Sequence, residues 1–197
     1  MLFLGMTSWA NYGFSVAYVE SSNDTSLVKM NKVNLIEDEI EEATALQFKY
    51  AIILGVNVES LKNNDLLNFI EKWYGVKYLY GGTTMKGIDC SAFTQVLLKN
   101  VYGIATDRVV GDQYNKCIKI NRSELQIGDL LFFRHKDKSY LTHVAFYLGN
   151  NKFIHASVNK GITIDDLNSK YYSNIYYGSG RPKNISLPTT ISNFEKK

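Results

Sequence analysis

Apolar positions along the chain keep two different rhythms. From Glu37 to Leu54 and again from Asn64 to Tyr74 they recur at helical spacing, with Leu66, Leu67, Phe69, Ile70 and Trp73 forming one stripe. Gly55 and Gly75 follow these stretches, which marks them as two helices stopped by glycine. Val76 to Tyr80 reads as a short extended piece leading into Gly81-Gly82. Asp89 then reads as the N-cap of a third helix through Asn100, with Ala92, Phe93, Val96, Leu97 and Val101 on its buried side. Beyond it the period becomes two. Leu130 to Arg134, His143 to Leu148, Phe153 to Ser157, Gly161 to Ile164 and Ile175 to Gly180 are expected strands divided by turn residues. Helices first and antiparallel strands afterwards predict an α+β domain, with the N-terminal helices packed on an antiparallel sheet.

The same reading divides the chain into an apolar start and polar linker over 1–34, a folded domain over 35–183 and a patternless tail over 184–197. The first ten residues are apolar and uncharged but lack a basic lead, so they read as a weak or truncated export signal, placing the protein in the periplasm or outside the cell. No run approaches the ~18 apolar residues of a membrane span, because Lys49 interrupts the best candidate, Ala43 to Val56. With 197 residues, of which 45% are hydrophobic, the chain can bury one full core, and a monomer is expected. A net charge of +3 without a basic run is too mild to suggest a nucleic-acid partner.

Two cysteines make no disulfide framework in a chain of this size. Cys117, in the alternating Cys117-Ile118-Lys119-Ile120, reads as an inert strand residue. Cys90 is different: in Gly87-Ile88-Asp89-Cys90-Ser91 it stands where a turn enters a helix, and a helix N-terminus beside an imidazole is the usual way to lower a thiol's pKa. His143 is the candidate base and His155 the candidate partner that orients it. Asp89 opposes thiolate formation unless first-turn N–H groups engage its carboxylate. One geometric difficulty stands out. A regular hairpin through Gly149-Asn150-Asn151-Lys152 sets Val158, not His155, opposite His143, an offset of three residues or about 10 Å, which a bulge or strong twist must close. Zinc is the competing use of one cysteine and two histidines, but no fourth ligand is apparent, and no cofactor is expected.

Trp73-Tyr74-Gly75-Val76-Lys77-Tyr78, Tyr80-Gly81-Gly82, Gly87-Ile88-Asp89-Cys90-Ser91, Ile127-Gly128-Asp129-Leu130, His143-Val144-Ala145 and Phe153-Ile154-His155-Ala156-Ser157 occur in this order. Together they resemble the NlpC/P60 family of bacterial cell-wall cysteine peptidases, over about residues 64 to 183. The resemblance implies a papain-like fold and hydrolysis of peptidoglycan stem peptides or muropeptides. It makes Cys90 the nucleophile, His143 the base and His155 its orienting partner. Tyr78, Asp89 and Ser91 match positions that in some members line the pocket and hold a substrate's free amine. The expected bond is γ-D-glutamyl to a diamino acid such as meso-diaminopimelate. The alternatives are the D-alanyl to diaminopimelate crosslink, or a wall-binding module with a degenerate site. Ala92 stands where the family usually has glycine, and Thr106-Asp107-Arg108-Val109-Val110 keeps Arg108 while losing two hydroxyls of the usual loop. Tyr171, Tyr172, Tyr176 and Tyr177 are expected in core and edge packing, with shaping of the cleft as the alternative.

Overall fold

A computed structural model describes residues 44–185. The expected export signal and linker, the helical turns before 44 and nearly all of the tail lie outside the described residues, as does the start of the folded domain. Helix α1 runs over 44–54 and α2 over Asn64–Trp73, capped by the Asn63 side chain, which accepts from Leu66 N at 3.0 Å. A two-stranded ribbon, β1 (Thr83–Thr84) and β2 (Gly87–Ile88), leads into α3 (Cys90–Tyr102), which ends at Gly103 in the left-handed conformation. Helix α4 (Val110–Lys116) was not expected. Its apolar pattern is too short to stand out, and it is held by Gln113, which is fully buried.

Six strands form one antiparallel sheet in the order β3-β8-β4-β5-β6-β7. They are β3 (Ile118–Ile120), β4 (Leu130–Phe133), β5 (His143–Gly149), β6 (Lys152–Ser157), β7 (Gly161–Asp166) and β8 (Tyr176–Arg181). Cys117 caps α4 rather than lying in β3, and Ile175 ends a short helix, α5 (Lys170–Ile175), instead of opening β8. Val76 to Tyr80 forms no strand, only a bridge from Tyr78 to Ile88. Both faces of the sheet are covered, which is why Leu130-Leu131-Phe132-Phe133 is a continuous apolar run. On one face Val144, Phe146, Ile154 and Ala156 pack with Phe93 and Leu97 of α3. Phe69, Trp73 and Phe93 join α2 to α3 with ring centroids 5.7–6.1 Å apart. The opposite face carries a smaller cluster of Leu131, Phe133, Ala145, Tyr147, Phe153, Leu167 and Ile175.

Two features of this sheet position the site. Asp129, fully buried beside the start of β4, accepts from Arg181 Nε at 2.8 Å and Arg181 Nη2 at 3.0 Å, tying β8 to β4 by a bidentate ion pair. The β5-β6 hairpin pairs Gly149 with Lys152 but Tyr147 with Phe153, so Leu148 is an extra residue on β5. The turn residues Asn150 and Asn151 both have positive φ, 46° and 58°, the pairing that matches strand twist in a two-residue hairpin loop. Asn150 Nδ2 donates to Leu54 O at 2.8 Å, anchoring this turn to α1. Among the described residues no helix is long and apolar enough to cross a membrane.

Candidate active site

The site begins with the turn before α3. Asp89 adopts extended backbone and its Oδ1 accepts from Ala92 N at 2.9 Å, which is N-cap geometry and sets Cys90 in the first turn. Asp89 Oδ2 accepts from Gly81 N at 3.0 Å, so the glycine turn and the helix start are locked by one carboxylate. Arg108 grips both oxygens, donating through Nη1 at 2.9 Å and through Nη2 at 2.5 Å, and Nη1 also reaches Ser91 Oγ at 2.7 Å. Desolvation works to raise the Asp89 pKa, but Arg108 and the backbone donors outweigh it and hold the carboxyl below its ordinary value. Asp89 is thereby the capping, engaged carboxylate that a neighbouring nucleophile requires.

Cys90 itself departs from expectation. It is only 6% exposed, and burial pushes the thiol pKa up, not down, with the Asp89 charge adding to the rise. Backbone N–H groups of Val144, Ser91 and Cys90 aim at the sulfur and lower its pKa, without overcoming desolvation. The contact with Val144 sets the sulfur beside the start of β5, next to His143 in sequence. Among the described residues no hydrogen bond joins the sulfur to the His143 ring. Burial thus favours the neutral thiol and the neutral imidazole in the resting pair.

His143 and His155 are brought together: His143 Nε2 lies 2.8 Å from His155 Nδ1, with ring planes nearly perpendicular. The Leu148 bulge is the cause. In the regular hairpin register, an odd offset of three would send the two side chains to opposite faces of the sheet. The extra residue shifts the register to Phe146 opposite Ile154, and carried back along the strands this sets Ser157 opposite His143. His155 then stands two positions away on the same face, within diagonal reach. His143 is tucked against Phe133, and His155 is 2% exposed between Phe153 and Tyr172. Desolvation holds both histidine pKa values down; that of His143 falls well below the ordinary value with His155 and His135 adding to the fall, while Asp165 partly offsets the fall at His155.

Sequence reasoning missed Asp165 and gave Tyr172 a packing role. Asp165 Oδ2 lies 3.0 Å from His155 Nε2 and accepts from Tyr172 OH at 3.0 Å, while Oδ1 accepts from Lys160 Nζ at 2.9 Å. The four-tyrosine group is thus not packing alone. The expected strand over 161–164 stopped one residue short of Asp165, yet the register pairs His155 with Thr163, so Asp165 is the diagonal neighbour two positions on. Desolvation raises the Asp165 pKa, but bonds from His155, Lys160 and Tyr172 prevail and keep it well below the usual carboxylate range.

Tyr78 is half-buried, and desolvation, Cys90 and Asp89 raise its pKa, in that order, so it shares the electrostatic surroundings of the thiol. The 106–110 loop is fixed by backbone acceptance: Gln95 Nε2 donates to Thr106 O at 2.7 Å and Gln113 Nε2 to Asp107 O at 2.7 Å. This is how Arg108 is held against Asp89 and Ser91 although neighbouring hydroxyls are missing. A cavity of about 580 Å³ lined by Tyr102, Ile104, Asp107 and Cys117 includes neither Cys90 nor a histidine. Burial raises the Cys117 pKa to about 11, in keeping with an inert thiol.

A model of the NlpC/P60 family matches residues 75–181. A probable endopeptidase NlpC homolog of Haemophilus influenzae is 45% identical over 116 residues, covering 59% of this chain and 61% of that protein. The murein DD-endopeptidase MepS/murein LD-carboxypeptidase of Escherichia coli K12 is 32% identical over 157 residues, covering 79% of this chain and 80% of that protein. The crystal structure of an NlpC/P60 family protein from Bacillus cereus is 34% identical with a TM-score of 0.57, over 64% of this chain and 40% of that one. The chain thus spans under two thirds of the Haemophilus relative and most of MepS. With the helix-borne Cys90, the sheet-borne histidines and the matched region all in one papain-like α+β domain, the chain belongs to the NlpC/P60 family.

Proposed function

We propose that the protein is a cysteine endopeptidase of the cell envelope that hydrolyses peptidoglycan stem peptides, with Cys90 as nucleophile, His143 as base and His155 as its orienting partner. The observation that carries this reading is the 2.8 Å His143–His155 contact beside a thiol at a helix N-terminus, a constellation that packing alone does not require. Because burial keeps the resting thiol neutral, the proton leaves Sγ for His143 as the sulfur attacks the peptide carbonyl. The thioester forms as His143 returns that proton to the departing amine, and water then releases the acyl group with His143 acting again as base. The Cys90 N–H, at the positive end of α3, is one donor to the oxyanion.

Tyr78, Asp89, Ser91 and Arg108 form the substrate-binding side of this proposal. The bond cut is the γ-D-glutamyl to diamino-acid bond. A second reading, the D-alanyl to diaminopimelate crosslink, is favoured by the similarity to MepS, a protein named as a DD-endopeptidase. Asp89 bears on the choice: its oxygens already take five donors, from Ala92, Ser91, Gly81 and twice from Arg108, which about fills a carboxylate. A free amine of the substrate must displace one of them, whereas a crosslinked peptide need not. Digesting purified peptidoglycan and identifying the new amino terminus by mass spectrometry tests both readings: a diamino-acid α-amine freed from D-glutamate supports the first, a side-chain amine freed from D-alanine the second. No new terminus, with Cys90→Ala still binding sacculi, identifies a wall-binding module instead.

A further inference from the structure

We propose that Asp165 is a positioning residue of this site, its carboxylate dictating through His155 which nitrogen of His143 carries the proton. The inference rests on the peptidase reading above and adds a group that the motifs of the chain do not contain.

Donors and acceptors alternate across three strands. An ionised carboxylate only accepts, so the 3.0 Å contact with Asp165 Oδ2 requires a proton on His155 Nε2. Neutral His155 then has a bare Nδ1, and its 2.8 Å contact with His143 requires a proton on His143 Nε2. The nitrogen left bare is His143 Nδ1, which is the one available for the Cys90 proton. Each link is a diagonal neighbour on one face of the sheet, so β5, β6 and β7 deliver the series together. Tyr172 OH donates to the same Asp165 oxygen, and Lys160 occupies the other. These contacts fix the carboxylate's plane and keep it ionised. When the thiol proton reaches His143 Nδ1, the S–H bond breaks and an N–H bond forms. Nothing moves further, and Asp165 faces the new imidazolium across His155 as a fixed negative charge.

Asp165→Asn is nearly isosteric and inverts this order. The Lys160 ammonium retains the amide oxygen at the Oδ1 position, which turns the amide NH₂ toward His155 Nε2. His155 then carries its proton on Nδ1, and His143 is forced to hold its own on Nδ1, where it blocks the base. We expect kcat on muropeptides to fall about 10²- to 10³-fold with KM nearly unchanged, less than the roughly 10⁴-fold loss for a carboxylate that touches the base directly, because Asp165 acts through a second ring. ¹⁵N spectra of the imidazoles should show His143 Nδ1 bare in the wild-type protein and protonated in Asp165→Asn. Adding Lys160→Met frees the amide to turn back and should restore part of kcat, a rescue that a merely structural role does not produce. In a His155→Gln background Asp165→Asn should cost little, because the ring it orients is gone.

A wild-type His143 with its proton on Nδ1 overturns the inference whether or not any variant folds. So does an Asp165→Asn protein with wild-type kcat, or an equal loss in the His155→Gln background. If the wild-type protein cleaves no peptidoglycan, the proposed function fails, and the nitrogen spectra still decide the role of Asp165.

Discussion

The two carboxylates that flank the site work in opposite surroundings. Asp89, at the helix side, is gripped by both nitrogens of a planar guanidinium, with side-chain exposures of 8% for Asp89 and 39% for Arg108. Asp165, at the sheet side, shares its oxygens among an imidazole, a phenol and a lysine whose side chain is 61% exposed. Arg108 pairs with the Asp89 charge within hydrogen-bond distance, so that carboxylate builds the turn that presents Cys90 and adds only a secondary part, after burial, to the rise of its pKa. Lys160 is a mobile, hydrated cation that leaves more of the Asp165 charge directed at the histidines. In the proposed peptidase Asp89 shapes the turn and the substrate side, and Asp165 sets the direction of proton transfer.

The strongest way to break this division is to remove the chemistry between the two sides. Cys90→Ala should lower muropeptide release by about 10⁴-fold or more, and His143→Ala comparably, while each variant keeps its fold. Release followed by mass spectrometry checks this. A smaller effect separates architecture from chemistry on the helix side. Arg108→Ala leaves Asp89 buried without its cation and should destabilise the domain by about 1–3 kcal/mol in urea unfolding, a range held down because Arg108 is partly exposed. The loss should shrink in an Asp89→Asn background, since the uncompensated charge is gone.

On the sheet side the test is pH. His143 and His155 have pKa values held down by burial, so the unfolded chain binds protons near pH 6.5 while the folded domain does not. Stability from this source is complete above about pH 6.5 and is lost as pH falls below it toward the folded values. Urea midpoints between pH 7 and pH 5 should therefore decline, and less steeply in His143→Gln. The acid limb of kcat/KM should likewise lie below that of a free histidine. The smallest effect concerns the turn that sets the register. Asn150→Ala, at φ 46° and stripped of its bond to Leu54 O, should cost about 1–2 kcal/mol, measured as a lowered thermal midpoint.

The helix side was legible in the sequence because its parts are contiguous. An N-cap aspartate, the residue after it and two glycines lie within ten positions, and local hydrogen bonding alone relates them. Arg108 enters from a distance, but its loop kept the one residue that matters. The sheet side needed a register. Leu148 looks like any apolar strand residue, so nothing local announced the bulge that moves His155 to the face of His143. Asp165 was hidden for the same reason, although the tight turn between Ser157 and Gly161 is enough to count from. The expectation of a lowered thiol pKa failed because it weighed the helix end and not the burial around Cys90. That burial depends on residues far apart in the chain.

In the proposed peptidase Cys90 is the group that reacts. In a Cys117→Ser background, iodoacetamide labelling of Cys90 can be followed by peptide mass spectrometry alongside muropeptide release. Activity should fall in proportion to the fraction of Cys90 labelled, and labelling should quicken only as pH rises past the ordinary thiol value, about 8.5. Full labelling of Cys90 with activity intact would contradict that role.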